Sequence, residues 1–305
     1  MKAIIVAGQD AGIAGMKLEE YPDPEPSLND AIVQVYASGF TNDELTWPST
    51  WVDREGRDRS PAIPGHEVAG IVTALGYGAT GVSIGQRVFG LTDWHRNGSL
   101  AEYVAVETRN LAPLPADVDF NTGAGLVMSG LTAWQGLFTH GHLRSGQTVL
   151  IHGAAGVVGS MAVQLAREAG AYIIGTGRAS GRQAAVDFGV HEYLDLENEQ
   201  LEDIKGVDLV FDVFGGEISN RSVGLIRSGG ALVSVAGPTD ARPANGTVID
   251  FVVETSLVQL DEIVQRYRQG RLRTHIGSVA ALEDAVALFN AKDRRGGKTI
   301  IEIGS

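Results

Sequence analysis

The residues from Thr148 to Arg178 constrain this chain more than any other stretch. Thr148–His152 is a short apolar run rich in β-branched side chains, the pattern of a buried strand. Gly153-Ala154-Ala155-Gly156 follows, and Gly159 stands a little further on. Val158, Met161, Ala162, Leu165, Ala166 and Ala169 then recur at helical spacing until Gly170 ends the pattern. Tyr172–Gly175 reads as a second apolar strand. Strand, small-residue turn, helix and strand make a βαβ unit. The turn matches the dinucleotide fingerprint with Ala154 in place of its first glycine.

The residue types suit that chemistry. A pyrophosphate must come close to the backbone, and Gly153, Ala154, Ala155 and Gly156 keep side chains out of its way. The helix start, at Val157, Val158 and Gly159, offers free N–H groups and a partial positive charge. Gly159 has no Cβ, so the helix can lie close to the strand. NAD-binding units place an acid at the end of the second strand to hold the ribose 2′-hydroxyl. Here that end reads Thr176-Gly177-Arg178-Ala179-Ser180-Gly181-Arg182, and no acid appears until Asp187. Arg178 and Arg182 can meet a 2′-phosphate with charge-assisted hydrogen bonds, so the expected cofactor is NADP(H).

A chain of 305 residues is long enough for two domains. Its net charge of −13 argues against nucleic-acid or anionic-membrane partners. With no cysteine there is no disulfide, no thiolate zinc ligand and no cysteine nucleophile. No apolar run reaches membrane-spanning length and the N-terminal run is too short for a signal segment, so a cytoplasmic protein is expected.

Two textures divide the chain. Residues 1–120 are punctuated by Gly and Pro, with strand-like pieces at Lys2–Ala7, Met16–Glu20, Ala31–Ala37, Glu67–Leu75, Arg87–Leu91 and Ala101–Val106. Alternation such as Ile32-Val33-Gln34-Val35 predicts half-buried antiparallel strands. Thr46–Ser60 reads as a surface loop carrying Trp47 and Trp51, and Gly81–Gly85, although it fits GxSxG, reads as a turn. From about Asn121 helices and strands alternate: a helix over Thr122–Thr139, the βαβ unit, a helix at Gln183–Phe188, and strands near His191–Leu196, Asp208–Val213 and Ala231–Ala236. That rhythm predicts a doubly wound parallel sheet of the Rossmann kind. Ser256–Gln269 and Ala280–Phe289 are helical by spacing, and Lys298–Ile303 is a last strand.

Several segments together resemble the medium-chain dehydrogenase/reductase superfamily, in its zinc-independent quinone oxidoreductase branch. They are Pro64-Gly65-His66-Glu67-Val68-Ala69-Gly70, Gly85-Gln86-Arg87-Val88, the GSLAEY of Gly98–Tyr103, Ser129-Gly130-Leu131-Thr132-Ala133, the glycine turn and Arg295-Gly296-Gly297-Lys298. The likeness spans nearly the whole chain. It implies an α/β protein: a GroES-like, mainly antiparallel catalytic domain over 1–120, a Rossmann domain over 121–254, and a segment 255–305 that completes the catalytic domain. It also implies a homodimer and an active site in the domain cleft.

Carried over residue by residue, the resemblance puts Thr41 where zinc-dependent members have a cysteine ligand, and Met128 at a later ligand-bearing position. His66 and Glu67 remain, a remnant that should not hold zinc, so no metal site is expected; Glu67 is read as an ion-pair partner and His66 as a hydrogen-bonded structural histidine. Thr41 and Asn42 are candidate hydrogen-bond donors to a substrate oxygen. Asp43, where alcohol dehydrogenases keep a proton-relay hydroxyl, is a candidate acid provided it is buried. Thr132, Phe214 within Val213-Phe214-Gly215, Ala236 and Gly237 correspond to segments around the nicotinamide and its ribose. The implied activity is NADPH-dependent reduction of a small conjugated acceptor: a quinone, an enal or an enone. Two alternatives stay open, a zinc alcohol dehydrogenase and a cofactor-binding sensor or structural protein without turnover.

Overall fold

The computed structural model describes residues 1–291 and 296–304, so Arg295 of the C-terminal motif lies outside the described residues. The chain forms two compact units. One holds Met1–Met128, Thr255–Val264 and Ile276–Ser305; the other holds Ser129–Glu254 and Gln265–His275.

In the first unit β1 (Lys2–Val6) and β2 (Met16–Glu20) pair antiparallel. The long β3 (Asp30–Phe40) leads through a tight turn to the one-turn helix α1 (Pro48–Trp51), and β4 (Glu67–Leu75), β5 (Arg87–Leu91), β6 (Tyr103–Glu107) and β7 (Leu111–Pro113) follow. β4 and β6 both run antiparallel to β3. The alternating valines turn inward as expected: Val33 and Val35 of β3 meet Val68, Val72, Val88, Val104 and Val106 in one apolar cluster. Gly81 and Gly85 both take positive φ, in the turn that joins β4 to β5. Trp51 departs from the surface-loop expectation. It is buried, and its indole N–H donates to the Leu45 carbonyl at 2.9 Å.

The helix read at Thr122–Thr139 is two pieces. α2 (Phe120–Trp134) gives way to a wider π-type turn at Gln135–His140. Gly136 lies so close to the Phe211 ring that a Cβ there would collide with it, and the Gly141 N–H reaches back to the Gly136 carbonyl at 3.0 Å. The second unit then builds the predicted sheet. β8 (Thr148–His152), α3 (Val157–Glu168), β9 (Tyr172–Gly177), α4 (Arg182–Phe188), β10 (Glu192–Asp195), β11 (Val207–Asp212), α5 (Gly216–Ser222), β12 (Ile226–Ser234) and β13 (Gly246–Asp250) follow in turn. All six strands are parallel, in the order β10-β9-β8-β11-β12-β13. The order reverses between β8 and β11, the kind of switch point beside which parallel sheets commonly bind ligands.

The chain ends with α6 (Leu257–Arg268), β14 (Ile276–Ala281), α7 (Ala285–Phe289) and β15 (Lys298–Glu302). The helix read over Ala280–Phe289 therefore begins as a strand, because β14 takes the edge of the first unit's sheet beside β15. β15 pairs antiparallel with β3 and places Lys298 beside the end of that strand. Residues 265–275, read in the sequence as part of the catalytic domain's completion, pack with the second unit. Among the described residues no helix is long and apolar enough to cross a membrane.

Candidate active site

In the first unit, three strand ends converge on Thr41. β3 ends at Phe40, β4 opens at Glu67 opposite Gly39, and β15 opens at Lys298. Glu67 and Lys298 are both buried and form an ion pair. The pair passes over Gly39, where a Cβ would stand 2.9 Å from Lys298 Cε. The other Glu67 oxygen accepts the Met128 N–H at 3.1 Å. Lys298 Nζ donates to Thr41 Oγ1 at 3.3 Å, and that hydroxyl in turn points to Met128 Sδ at 3.8 Å.

Asp43 is exposed, so the burial that would make it an acid is missing. The Asn42 side chain lies outside what is described. The buried carboxyl is the neighbouring Glu44, which sequence reading passed over. A short 3₁₀ turn over Asn42–Thr46 points it inward, where it accepts the Thr41 N–H at 2.9 Å and the Gly65 N–H at 2.8 Å. Burial pushes it up to about 8. His66 is also buried and neutral, driven down to about 3 by desolvation, with Nδ1 2.8 Å from Thr92 Oγ1. Its ring lies 4.7 Å from Trp94 and 6.2 Å from Trp47, so half-buried indoles flank it.

These groups do not fit zinc. A threonine hydroxyl and a thioether hold the would-be ligand positions, and the ammonium of Lys298 already neutralises Glu67. Zinc sites are built from thiolate, imidazole and free carboxylate. Among the described residues no three His, Cys, Asp or Glu side chains are grouped to hold a metal ion.

In the second unit the fingerprint turn is closely packed and leaves the start of α3 uncapped by any side chain. Gly153 takes φ 64°, and a Cβ on it would meet Val213 at 2.9 Å. A Cβ on Gly159 would run into the Gly153 carbonyl and stand 2.9 Å from Ala154 Cα. Gly156 caps α3 without a side chain, so the N–H groups of Val157, Val158 and Gly159 at the first turn have no cap bond. The alanine at the first fingerprint position has a physical reason. Ala154 is fully buried, and a methyl on Gly175 of β9 would stand 2.7 Å from its own. The missing glycine is supplied across the sheet.

The other expected residues lie at the same strand ends. Arg178, just after Gly177, is exposed; its carbonyl accepts the Tyr193 hydroxyl at 2.8 Å, and its side chain, among the contacts described, meets only Glu197 at 3.4 Å. Arg182 is committed elsewhere: it donates to the Tyr193 carbonyl at 2.8 Å and pairs with Glu199 at 2.7 Å. Phe214, Ala236 and Gly237 are exposed after β11 and β12, and Ala155 and Gly156 are accessible beside the turn. Thr132 is buried on α2.

Beneath them runs a buried polar network that sequence reading missed. Asp212 accepts N–H bonds from Phe214 at 2.9 Å and Gly215 at 3.1 Å, and the Ser234 hydroxyl at 3.0 Å. His152 lies 2.7 Å from both Thr176 Oγ1 and Ser222 Oγ. Ser222 spends its own proton on the Ile218 carbonyl, so the His152 proton sits on Nε2 and Thr176 donates to Nδ1. Desolvation holds this histidine neutral, down at about 4. The one sequence signal was a run of polar residues closing apolar strands.

These burials set a pH dependence. Glu44 keeps its proton up to about 8 in the folded protein but to 4.5 unfolded, so stability falls as pH rises between those values. His66 and His152, about 3 and 4 folded against 6.5 unfolded, withdraw stability as pH falls below 6.5. From 6.5 to about 8 Glu44 acts alone of the three. Denaturant unfolding should weaken across that window by at most about 1.4 kcal/mol per pH unit. Glu44→Gln should flatten the slope; an unchanged slope would contradict a protonated Glu44.

Comparison with known proteins fits this geometry. Residues 27–116 match the alcohol dehydrogenase GroES-like domain, and residues 157–265 match the family described as zinc-binding dehydrogenase. A quinone oxidoreductase of Rattus norvegicus is 31% identical over 249 residues, 77% of this chain and 72% of that one. The spectinabilin polyketide synthase system protein NorB of Streptomyces orinoci is 38% identical over 259 residues, 78% of this chain and 12% of that protein. The solved structure of the quinone oxidoreductase from Coxiella burnetii superposes with a TM-score of 0.89 at 25% identity, over 100% of this chain and 99% of that one. The chain belongs to the medium-chain dehydrogenase/reductase superfamily, in its quinone oxidoreductase-like branch. It is an oxidoreductase of that type, whose members bind a nicotinamide cofactor.

Proposed function

We propose that this enzyme reduces conjugated acceptors (quinones, enals or enones) with NADPH and without a metal. The Thr41 cluster carries the reading: a hydroxyl, a thioether and a neutralised carboxylate stand where a zinc-dependent relative would keep its ligands. Without a Lewis acid an isolated carbonyl loses several kcal/mol of polarisation. A conjugated acceptor suffers less, because its charge spreads onto a distant oxygen.

When bound, the cofactor supplies a hydride. The chain's own residues do the rest. The N–H groups at the start of α3 hold the pyrophosphate, and the exposed Arg178 guanidinium, paired only loosely with Glu197, meets the 2′-phosphate. Asp212 fixes the 213–215 turn through its backbone N–H groups. Thr41 offers its hydroxyl to the acceptor oxygen. Trp47, His66 and Trp94 offer flat, uncharged faces to a planar acceptor. The open edge of the parallel sheet at β13, with Val252 exposed just beyond it, supports a homodimer through that edge.

The test is steady-state oxidation of NADPH with a quinone, an enone and a saturated aldehyde, before and after chelation. The quinone and enone should be turned over at the same rate after chelation, in protein with well under one zinc per chain by elemental analysis. Turnover of the aldehyde alone, lost with a stoichiometric zinc, would revive the alcohol-dehydrogenase reading. Tight NADPH binding with no turnover of any acceptor would favour a sensor.

A further inference from the structure

We propose that Lys298 is a positioning residue for this reduction: its buried ammonium polarises the Thr41 hydroxyl that receives the charge developing on the acceptor oxygen. The inference rests on the proposed reductase activity and assigns a role to a pair that activity leaves unused.

Three observations converge on it. The first is placement. Lys298 begins β15 and Glu67 begins β4, on either side of the end of β3, so the pair brackets the residue that leads into Thr41. Gly39 clears the path, since a side chain there would collide with Glu67 and approach Lys298 Cε to 2.9 Å. The second is the hydrogen bonding of the hydroxyl. Thr41 Oγ1 accepts from Lys298 Nζ at 3.3 Å, while its proton faces only Met128 Sδ at 3.8 Å. A thioether is a weak acceptor, so the O–H can turn to a stronger one at little loss. The third is cost. Two buried charges lose their hydration, and apolar side chains of similar size would often be as stable. Stability alone gives this pair little reason to be here.

The chemistry closes without a further reagent. As hydride from the reduced nicotinamide reaches the β-carbon of an enone, the C=C electron pair moves toward the carbonyl and charge collects on its oxygen. That oxygen accepts the Thr41 O–H, which the neighbouring ammonium has made a better donor. A proton from water then reaches the α-carbon and the saturated ketone results. Two electrons have moved from cofactor to substrate, and neither Lys298 nor Thr41 gives up its proton.

The test compares wild type with Lys298→Met, Lys298→Arg, Thr41→Val and the double variant Lys298→Met/Glu67→Gln, on an enone and a quinone. Thermal midpoint and NADPH affinity are read alongside kcat. Lys298→Met strands Glu67 and should lower the midpoint; the double variant removes both charges and should recover it. Its kcat on the enone should nonetheless stay down by about tenfold or more, with NADPH affinity unchanged. The loss should be smaller on the quinone, whose ring spreads the charge. Thr41→Val should reproduce this selectivity, and Lys298→Arg should restore part of the rate. A role confined to structure would weaken both acceptors equally and follow the midpoint. Wild-type kcat on the enone in the recovered double variant, or in a folded Thr41→Val, would overturn the proposal alone. No turnover of either acceptor by wild type would overturn the reductase reading and this proposal with it.

Discussion

Protein carrying Gly159→Ala should melt earlier and lose NADPH binding by more than about tenfold, because the added methyl meets backbone rather than a side chain that can swing away. Its Cβ would run into the Gly153 carbonyl and lie 2.6 Å from the Gly153 carbonyl carbon. α3 would have to move off the turn, taking with it the first-turn N–H groups proposed to hold the pyrophosphate. Overpacking a tight site costs about 1–3 kcal/mol, and a rigid contact belongs at the upper end. Gly224→Ala is the matched control in the same unit, since a Cβ there meets nothing within 4 Å. Thermal unfolding and cofactor titration on both variants decide the matter. Equal behaviour of the two would mean that the turn is not a close-packed cradle.

Arg178→Ala should cost NADPH at least about tenfold in affinity and leave NADH untouched. One charge-assisted contact to a 2′-phosphate contributes about 1.5–3 kcal/mol, and tenfold corresponds to about 1.4. The fold should not suffer, because the Glu197 contact is an exposed pair of the kind that contributes little. Arg182→Ala should differ in kind. It removes the tie to the Tyr193 carbonyl and to Glu199, so the loss falls on stability more than on cofactor choice. Titration of both cofactors against the three proteins separates these outcomes. Equal affinity of wild type for NADPH and NADH would sink the assignment.

The fold was legible where the signal is local. β2 and β4 begin and end where alternation and flanking Gly or Pro place them, and the Thr148–Arg178 stretch predicts β8, α3 and β9 in order. Edge strands were not. β13 is mostly solvent-facing and carries no apolar run, and β14 shows no buried face, so its residues merge with the helical spacing that follows. The Gly136 turn was hidden because its cause, the Phe211 ring, lies far along the chain.

The candidate site divides in the same way. Backbone-driven features, the glycine turn and the arginine after β9, can be read from spacing. Side-chain choices set by tertiary packing cannot. Asp43 and Glu44 are adjacent carboxylates, and only the 3₁₀ turn after Thr41 decides which of them is buried. Glu67 could be read as an ion-pair partner, but Lys298 read only as the end of a glycine-rich motif, so the cation it meets stayed hidden. Antiparallel pairing of β3 with both β4 and β15 is what joins them.

Hydride should go to the conjugated end of an acceptor without help from a metal. NADPH deuterated at C4 of the nicotinamide, supplied with an enone to chelator-treated protein, tests this most directly when the product is read by NMR and mass spectrometry. Deuterium should appear at the β-carbon of a saturated ketone, with the carbonyl intact. Deuterium on the carbonyl carbon of an alcohol product, or transfer only after zinc is returned, would contradict it.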